Sequence, residues 1–203
     1  MEKDFTCVYI AKIPEKIGDI SEIFPISRRE YILDAKNGDV RRARYFVWRL
    51  LSAAIARTLG MDIKDLDFSQ KDGRWSTSAA HISLSHGGGY AAVALSNAPV
   101  GIDVEPSRAP RAARFAERIL TDGELKAYAD MDESIRNTYL LKAWSKKEAI
   151  FKSLALSAFI PQKIDTGAYS CEQRVLSYPD CELILSVACK GDFTLQICEE
   201  NEI

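Results

Sequence analysis

Residues 100–105 read Val-Gly-Ile-Asp-Val-Glu, so that apolar Val100, Ile102 and Val104 alternate with Gly101, Asp103 and Glu105. Strict alternation specifies a strand with one buried face, because a slip of one residue would turn the whole apolar set outward. Asp103 and Glu105 then stand side by side on the opposite face. Shielded from water they repel each other unless a proton or a cation is shared between them, and a divalent ion is the natural candidate.

Forty residues intervene between Asp103 and a second segment, Trp144-Ser145-Lys146-Lys147-Glu148-Ala149-Ile150-Phe151-Lys152. Leu140, Trp144, Phe151 and Leu154 recur at spacings built from three and four, the mark of a helix with a buried stripe. Lys147 falls on that stripe. Trp144, Glu148 and Lys152 follow one another at intervals of four and share a flank of the helix. A lysine directed at a core is costly unless it meets an opposite charge or a ligand.

Together the two segments resemble the signature of the 4′-phosphopantetheinyl transferases, a V-G-I-D stretch followed at a set distance by W-S-x-K-E-A-x-x-K. Either segment alone reads equally well as a charged strand face or an amphipathic helix with surface ion pairs. Their joint occurrence at this distance makes the resemblance specific.

Composition agrees with a folded protein and narrows its partners. The 203 residues are 47% hydrophobic, enough for a real core, and 27 basic against 29 acidic residues leave a net charge of −2. That balance calls for neither nucleic acid nor an anionic membrane. No apolar run is long enough for a membrane span. Five cysteines, at 7, 171, 181, 189 and 198, form no C-x-x-C pair, and no basic-then-apolar leader opens the chain. They read as small core residues in a reducing cytoplasm.

Along the chain, residues 5–11 read as a strand and 14–25 as loop or short helix. Ser27 with Glu30 forms a capping-box pattern. A longer helix from about Asp39 carries Phe46, Val47, Leu50, Leu51, Ala54 and Ile55 inward until Gly60 ends it. Its other face holds Arg41, Arg42, Arg44 and Arg49, which read either as a solvated face or as phosphate ligands. The Asp72-Gly73 pair marks a turn before Arg74 and Trp75. Residues 81–85 and 90–95 read as a hairpin whose tip is His86-Gly87-Gly88-Gly89, where free glycine backbone can approach an anion.

Past Pro106 to Pro110, a break, residues 111–119 form a short helix containing Arg114-Phe115, similar to an R-F element of the family. Thr121 and Glu124 open another short helix as a capping box. The motif helix is predicted over 133–156, and Pro161 stops any continuation. The tail reads as strands at 168–177, 182–189 and 193–198, the last two as a hairpin about Lys190-Gly191-Asp192. Strand, helices and paired strands thus occur twice.

The resemblance implies the rest. The fold is α+β: two similar halves, 1–100 and 101–203, each a small antiparallel sheet packed on a long helix and related by a pseudo-two-fold. The first half carries coenzyme A phosphate contacts and the second the metal and catalytic motifs. The implied reaction moves the 4′-phosphopantetheine of coenzyme A to a serine of an apo acyl, peptidyl or polyketide carrier protein, releasing 3′,5′-ADP. Mg²⁺, replaceable by Mn²⁺, would be held by Asp103, Glu105 and Glu148. Glu148, Lys152 and Asp103 are the implied catalytic residues. Arg28, Arg44, Arg74, Ser85, His86, Lys147 and Lys152 are the implied coenzyme A contacts, with Arg42 close behind Arg44. A monomer is expected. A homologue that binds coenzyme A or a carrier without transferring anything is the alternative. Two departures stand out: Trp75 replaces the proline of the family's G-K-P turn, and residues 153–158 lack the glycines that usually follow the position of Lys152.

Overall fold

In the computed structural model the described residues are 5–71, 74–107, 114–199 and 203. Strand β1 (Thr6–Lys12) is buried at nearly every position, and its side chains divide at period two. Tyr9 and Ala11 join one apolar cluster, Val8 and Ile10 another. After a 3₁₀ turn come α1 (Ile26–Leu33) and α2 (Gly38–Leu59). Asn37 caps α2 by accepting from the Asp39 and Val40 N–H groups, and Gly60, at φ 67°, ends it in the left-handed conformation that glycine adopts without strain. The capping box expected at Ser27 does not form: Pro25 occupies the N-cap of α1 and no side chain caps it.

Strands β2 (Phe68–Lys71) and β3 (Arg74–Thr77) pair so that Lys71 faces Arg74; Asp72 and Gly73, where a turn is expected, lie outside the described residues. Strands β4 (His81–Gly87) and β5 (Tyr90–Ser96) form the expected hairpin, with Gly88 and Gly89 at φ 60° and 81°. Strand β6 (Gly101–Pro106) follows. Residues 108–113, expected to hold a break and the start of a helix, lie outside the described residues. Helices α3 (Arg114–Ile119), α4 (Asp122–Ala129) and α5 (Glu133–Ser153) come next, then β7 (Glu172–Ser177), β8 (Glu182–Ala188) and β9 (Thr194–Cys198). Helix α4 opens on the expected capping box, with Thr121 Oγ accepting from Glu124 N and the Glu124 carboxylate from Thr121 N.

Beside the two-stranded β2-β3 pair, a first sheet of order β4-β5-β1-β9 and a second of order β6-β8-β7 result. The first carries α2 on its outer face, where Phe46, Leu50, Leu51 and Ala54 meet Tyr9, Ala91, Val93 and Leu95. Its other face packs on the second sheet, joining Val8, Ile10, Ala92 and Ala94 to Ile102, Val104, Leu183, Leu185 and Val187. Helix α5 covers the far side of the second sheet through Ala149 and Ile150 against Ala188. The layers run helix, sheet, sheet, helix, a mixed α/β arrangement with small sheets.

Two expectations are corrected. Strand β9 does not return beside β8 but runs parallel to β1, pairing Cys7 with Thr194 and Ala11 with Cys198. The reason is that β8 is central, with β6 on one edge and β7 on the other, so no ladder position remains there, whereas β1 offers an open edge. Helix α5 ends at Ser153, short of 156, and Leu154 is 39% exposed, so it does not continue the buried stripe.

Candidate active site

Strand β6 lies directly against α5 because Gly101 has no side chain: a Cβ there would stand 1.9 Å from the Ala149 carbonyl oxygen. On its other edge β6 meets β4. Ser83 Oγ accepts from the Ile102 N–H at 3.0 Å, and Ser85 Oγ accepts from the Val104 N–H at 3.3 Å. Gly87 permits the same approach, since its Cβ would meet the Val104 oxygen at 2.3 Å. Serine hydroxyls thus satisfy an edge that no neighbouring strand covers.

This placement buries Asp103 to 5% exposure. Its Oδ1 accepts from Ser85 Oγ at 3.0 Å and from the Lys152 ammonium at 3.0 Å. Its Oδ2 is buried and has no hydrogen-bond partner. Lys152 also donates to the Ile102 carbonyl at 2.9 Å and lies 3.8 Å from Glu148 Oε2. Glu148 is held above the usual carboxylate range chiefly by burial; the Lys152 charge opposes that rise, while Asp103 and Glu105 add to it. Glu105 accepts from the Trp144 indole N–H at 2.9 Å, and that indole is wedged between Phe115 and Phe159.

The three carboxylates therefore share one electrostatic neighbourhood without forming a ready-made cage. Among the described residues no three His, Cys, Asp or Glu side chains are gathered closely enough to hold a metal ion. Asp103 and Glu148 share the Lys152 ammonium instead, and Glu105 accepts from Trp144, so that positive or donor groups separate the like charges. The donor chemistry nevertheless fits a hard divalent cation. All three side chains offer oxygen, and Asp103 Oδ2 is a buried acceptor with no donor, an arrangement costly to leave uncompensated.

The expected coenzyme A contacts divide. The imidazole of His86, next to the end of β4, is held below its ordinary value by desolvation from the protein around it, then by the charges of Lys152, Arg28 and Arg44. Those three cations thus all act on His86. Arg28 is 3% exposed, with its guanidinium over Trp48 at 4.6 Å and Tyr31 at 4.9 Å. It donates to the Arg44 carbonyl at 2.6 Å, and its Nε is buried without a partner. Burial lowers it to about 10, which leaves it charged at neutral pH. Arg44 donates to the Tyr31 carbonyl at 2.7 Å and lies over that ring. Arg42 turns to Asp39 at 2.8 Å and to the Glu15 carbonyl. Arg74 donates to the Leu156 and Phe151 carbonyls and stacks on Phe151, covering the carboxyl end of α5.

Two expectations are not met. Ser85 turns its hydroxyl to Asp103, into the protein. Lys147 is fully buried, and its three N–H bonds go to Glu124 Oε2 at 2.6 Å, the Ile119 carbonyl at 2.9 Å and the Pro161 carbonyl at 3.0 Å. An ammonium has three donors, so none is left for coenzyme A. Of the alternatives open for a lysine on the stripe, the opposite charge is the one realised. The support Ser83 gives to the edge of β6, and Trp144 as the donor to Glu105, were not foreseen. The motif tryptophan was the available signal, being four residues before Glu148 on the same flank.

A cavity of about 690 Å³ opens beside this cluster, with Arg74, Trp75, Phe151 and Lys152 among its walls. It lies between β3, β4 and the end of α5, where the chain leaves the helix with Ala155 at φ 50°.

Residues 99–182 match the family model described as the 4′-phosphopantetheinyl transferase superfamily. The chain is similar to 4′-phosphopantetheinyl transferase Sfp of Bacillus subtilis (strain 168), 29% identical over 133 residues, 61% of this chain and 59% of that protein. It is also similar to 4′-phosphopantetheinyl transferase psf-1 of Bacillus pumilus, 32% identical over 108 residues, 50% of this chain and 44% of that protein. The chain thus spans about half the length of the curated relatives it matches. Asp103, Glu105, Glu148 and Lys152 all fall inside the family-matched segment.

Proposed function

We propose that this chain, whose residues 99–182 match the 4′-phosphopantetheinyl transferase superfamily model, transfers 4′-phosphopantetheine from coenzyme A to a serine of an apo acyl, peptidyl or polyketide carrier protein. The observation that carries the reading is the joint placement of Asp103, Lys152 and Glu148 on β6 and α5, with one buried oxygen of Asp103 left without a donor. The proposal includes the division into a coenzyme A-binding half, 1–100, and a catalytic half, 101–203, with their pseudo-two-fold relation. It also includes action as a monomer in a reducing cytoplasm. The five free thiols support the compartment, and among the described residues no helix is long and apolar enough to cross a membrane.

In the reaction the serine oxygen forms a bond to the β-phosphorus of coenzyme A, and the bond from that phosphorus to the bridging oxygen breaks. The bridging oxygen departs with 3′,5′-ADP. Glu148, poised by burial towards the upper carboxylate range, takes the serine proton directly or through water. Lys152 neutralises negative charge on the phosphates and the leaving group. His86, Arg28, Arg44 and Arg74 supply the positive field for the remaining phosphates, and the cavity beside Lys152 supports a ligand of coenzyme A size. Asp103, Glu105 and Glu148 would hold Mg²⁺, or Mn²⁺ in its place. That ion neutralises pyrophosphate charge when bound. Alignment and charge neutralisation are what a phosphoryl-type displacement requires of a protein.

Incubation with coenzyme A, Mg²⁺ and an apo carrier, followed by mass spectrometry of the carrier, tests this. A phosphopantetheine adduct on the carrier serine is expected. A complex without a mass shift would make the protein a binder, and turnover of coenzyme A without a carrier would make it a nucleotide-acting enzyme.

A further inference from the structure

We infer that Ser85 is a positioning residue for Asp103, fixing which carboxylate oxygen is presented to a divalent cation, and is not a phosphate contact. The inference rests on the proposed cation-binding role of the carboxylates. Ser85 is 8% exposed on β4. Its hydroxyl hydrogen goes to Asp103 Oδ1 at 3.0 Å, and its oxygen accepts from the Val104 N–H at 3.3 Å. The hydroxyl's one hydrogen is therefore committed to the carboxylate, while the backbone of β6 holds the oxygen in place. Lys152 reaches the same Oδ1 from the α5 side and stands 3.4 Å from the serine oxygen.

Two donors thus saturate Oδ1, and none reaches the buried Oδ2. A carboxylate held in this way cannot rotate to exchange its oxygens without breaking both bonds. It presents a single oxygen, with its charge undiverted, to a cation. Fixing a ligand through its second oxygen is how residues outside the coordination sphere tune metal sites, and their loss commonly costs about 10–100-fold in affinity.

Ser83 provides an internal comparison. It lies two residues earlier on the same strand, and its hydroxyl accepts from the next inward N–H of β6, that of Ile102. Among the contacts described it reaches no carboxylate. Removing Ser83 Oγ therefore weakens the same junction of strands without touching Asp103.

The test is the affinity of the full chain for Mn²⁺, read from the electron paramagnetic resonance signal of the free ion, with coenzyme A affinity measured separately by calorimetry without divalent cation. Ser85→Ala is expected to lower Mn²⁺ affinity by about tenfold or more and to leave metal-free coenzyme A affinity within about twofold. Ser83→Ala should leave Mn²⁺ affinity within that range. Ser85→Cys keeps the shape but offers a weaker donor, and should also lose Mn²⁺ affinity; it serves if Ser85→Ala does not fold. Unchanged Mn²⁺ affinity in both Ser85 variants would overturn the assignment. So would equal losses in Ser83→Ala and Ser85→Ala, or a loss confined to coenzyme A. A wild-type protein that binds no Mn²⁺ would instead overturn the carboxylate reading on which this rests.

Discussion

Asp103 holds its two carboxylate oxygens in different surroundings, one with two donors and one with none. That asymmetry arises because neighbouring elements choose the donors. Its neighbours Glu105 and Glu148 are likewise placed by neighbouring elements, Glu105 accepting from Trp144 and Glu148 facing Lys152. The same dependence on surroundings governs Cys171, half-buried beside α5, whose thiol burial pushes up to about 12. Being raised, it contributes stability that is complete below the ordinary thiol value of 9.0 and is lost as pH climbs from there towards about 12. Iodoacetamide should therefore label Cys171 far more slowly than an unfolded-chain cysteine at pH 9, as peptide mass spectrometry would show; equal rates would refute the burial argument. The faces that Asp103 and Glu105 share on β6, and Glu148 and Lys152 on α5, were legible in the sequence, because alternation and four-residue spacing fix a face before any tertiary contact forms. The roles of Ser85 and Lys147 were not, because each depends on a partner that only the folded chain brings near.

Helix α5 is anchored from inside by Lys147, whose ammonium ties it to Glu124 at the start of α4, to the end of α3 and to the 3₁₀ turn Pro161–Lys163. Lys147→Met keeps the stem but takes the cation from the Glu124 carboxylate, leaving it the neutral donors Thr121 N–H and Thr166 Oγ1, so a loss of about 3 kcal/mol is expected from urea unfolding. Little change would mean that the ion pair holds nothing together. At the other end of the helix, Ala155 adopts φ 50°, where a Cβ is strained. Ala155→Gly should stabilise by up to about 1 kcal/mol in the same measurement, and a clear destabilisation would contradict that backbone reading. The missing glycine was visible in the sequence; that the chain turns there regardless, instead of extending the helix, was not. The capping box at Thr121 was legible because both partners lie within four residues. The one expected at Ser27 failed because Pro25, two residues earlier, already starts the helix.

At the scale of the whole molecule, the two sheets bury one common interior, and α2 and α5 seal the outer faces. Asp103 reaches Lys152 only because β6 belongs to both contacts, packed on the first sheet through Ile102 and Val104 and on α5 through Gly101. The repeated order of strand, helices and paired strands was readable locally. The partner of β9 was not, since it depends on which strand edges remain free once every other pairing is made. This architecture sets Lys152, paired with buried Asp103, in the wall of a cavity large enough for an extended ligand. The central claim is that these groups, with a divalent cation, move phosphopantetheine. The most direct measurement is the rate of carrier modification by wild type and Asp103→Ala, each with Mg²⁺ and with EDTA, alongside circular dichroism to verify folding. The account predicts modification by wild type with Mg²⁺, its loss in EDTA, and a folded Asp103→Ala protein slower by several orders of magnitude, on the order of 10³ or more. A folded Asp103→Ala protein that modifies the carrier at close to the wild-type rate would contradict it.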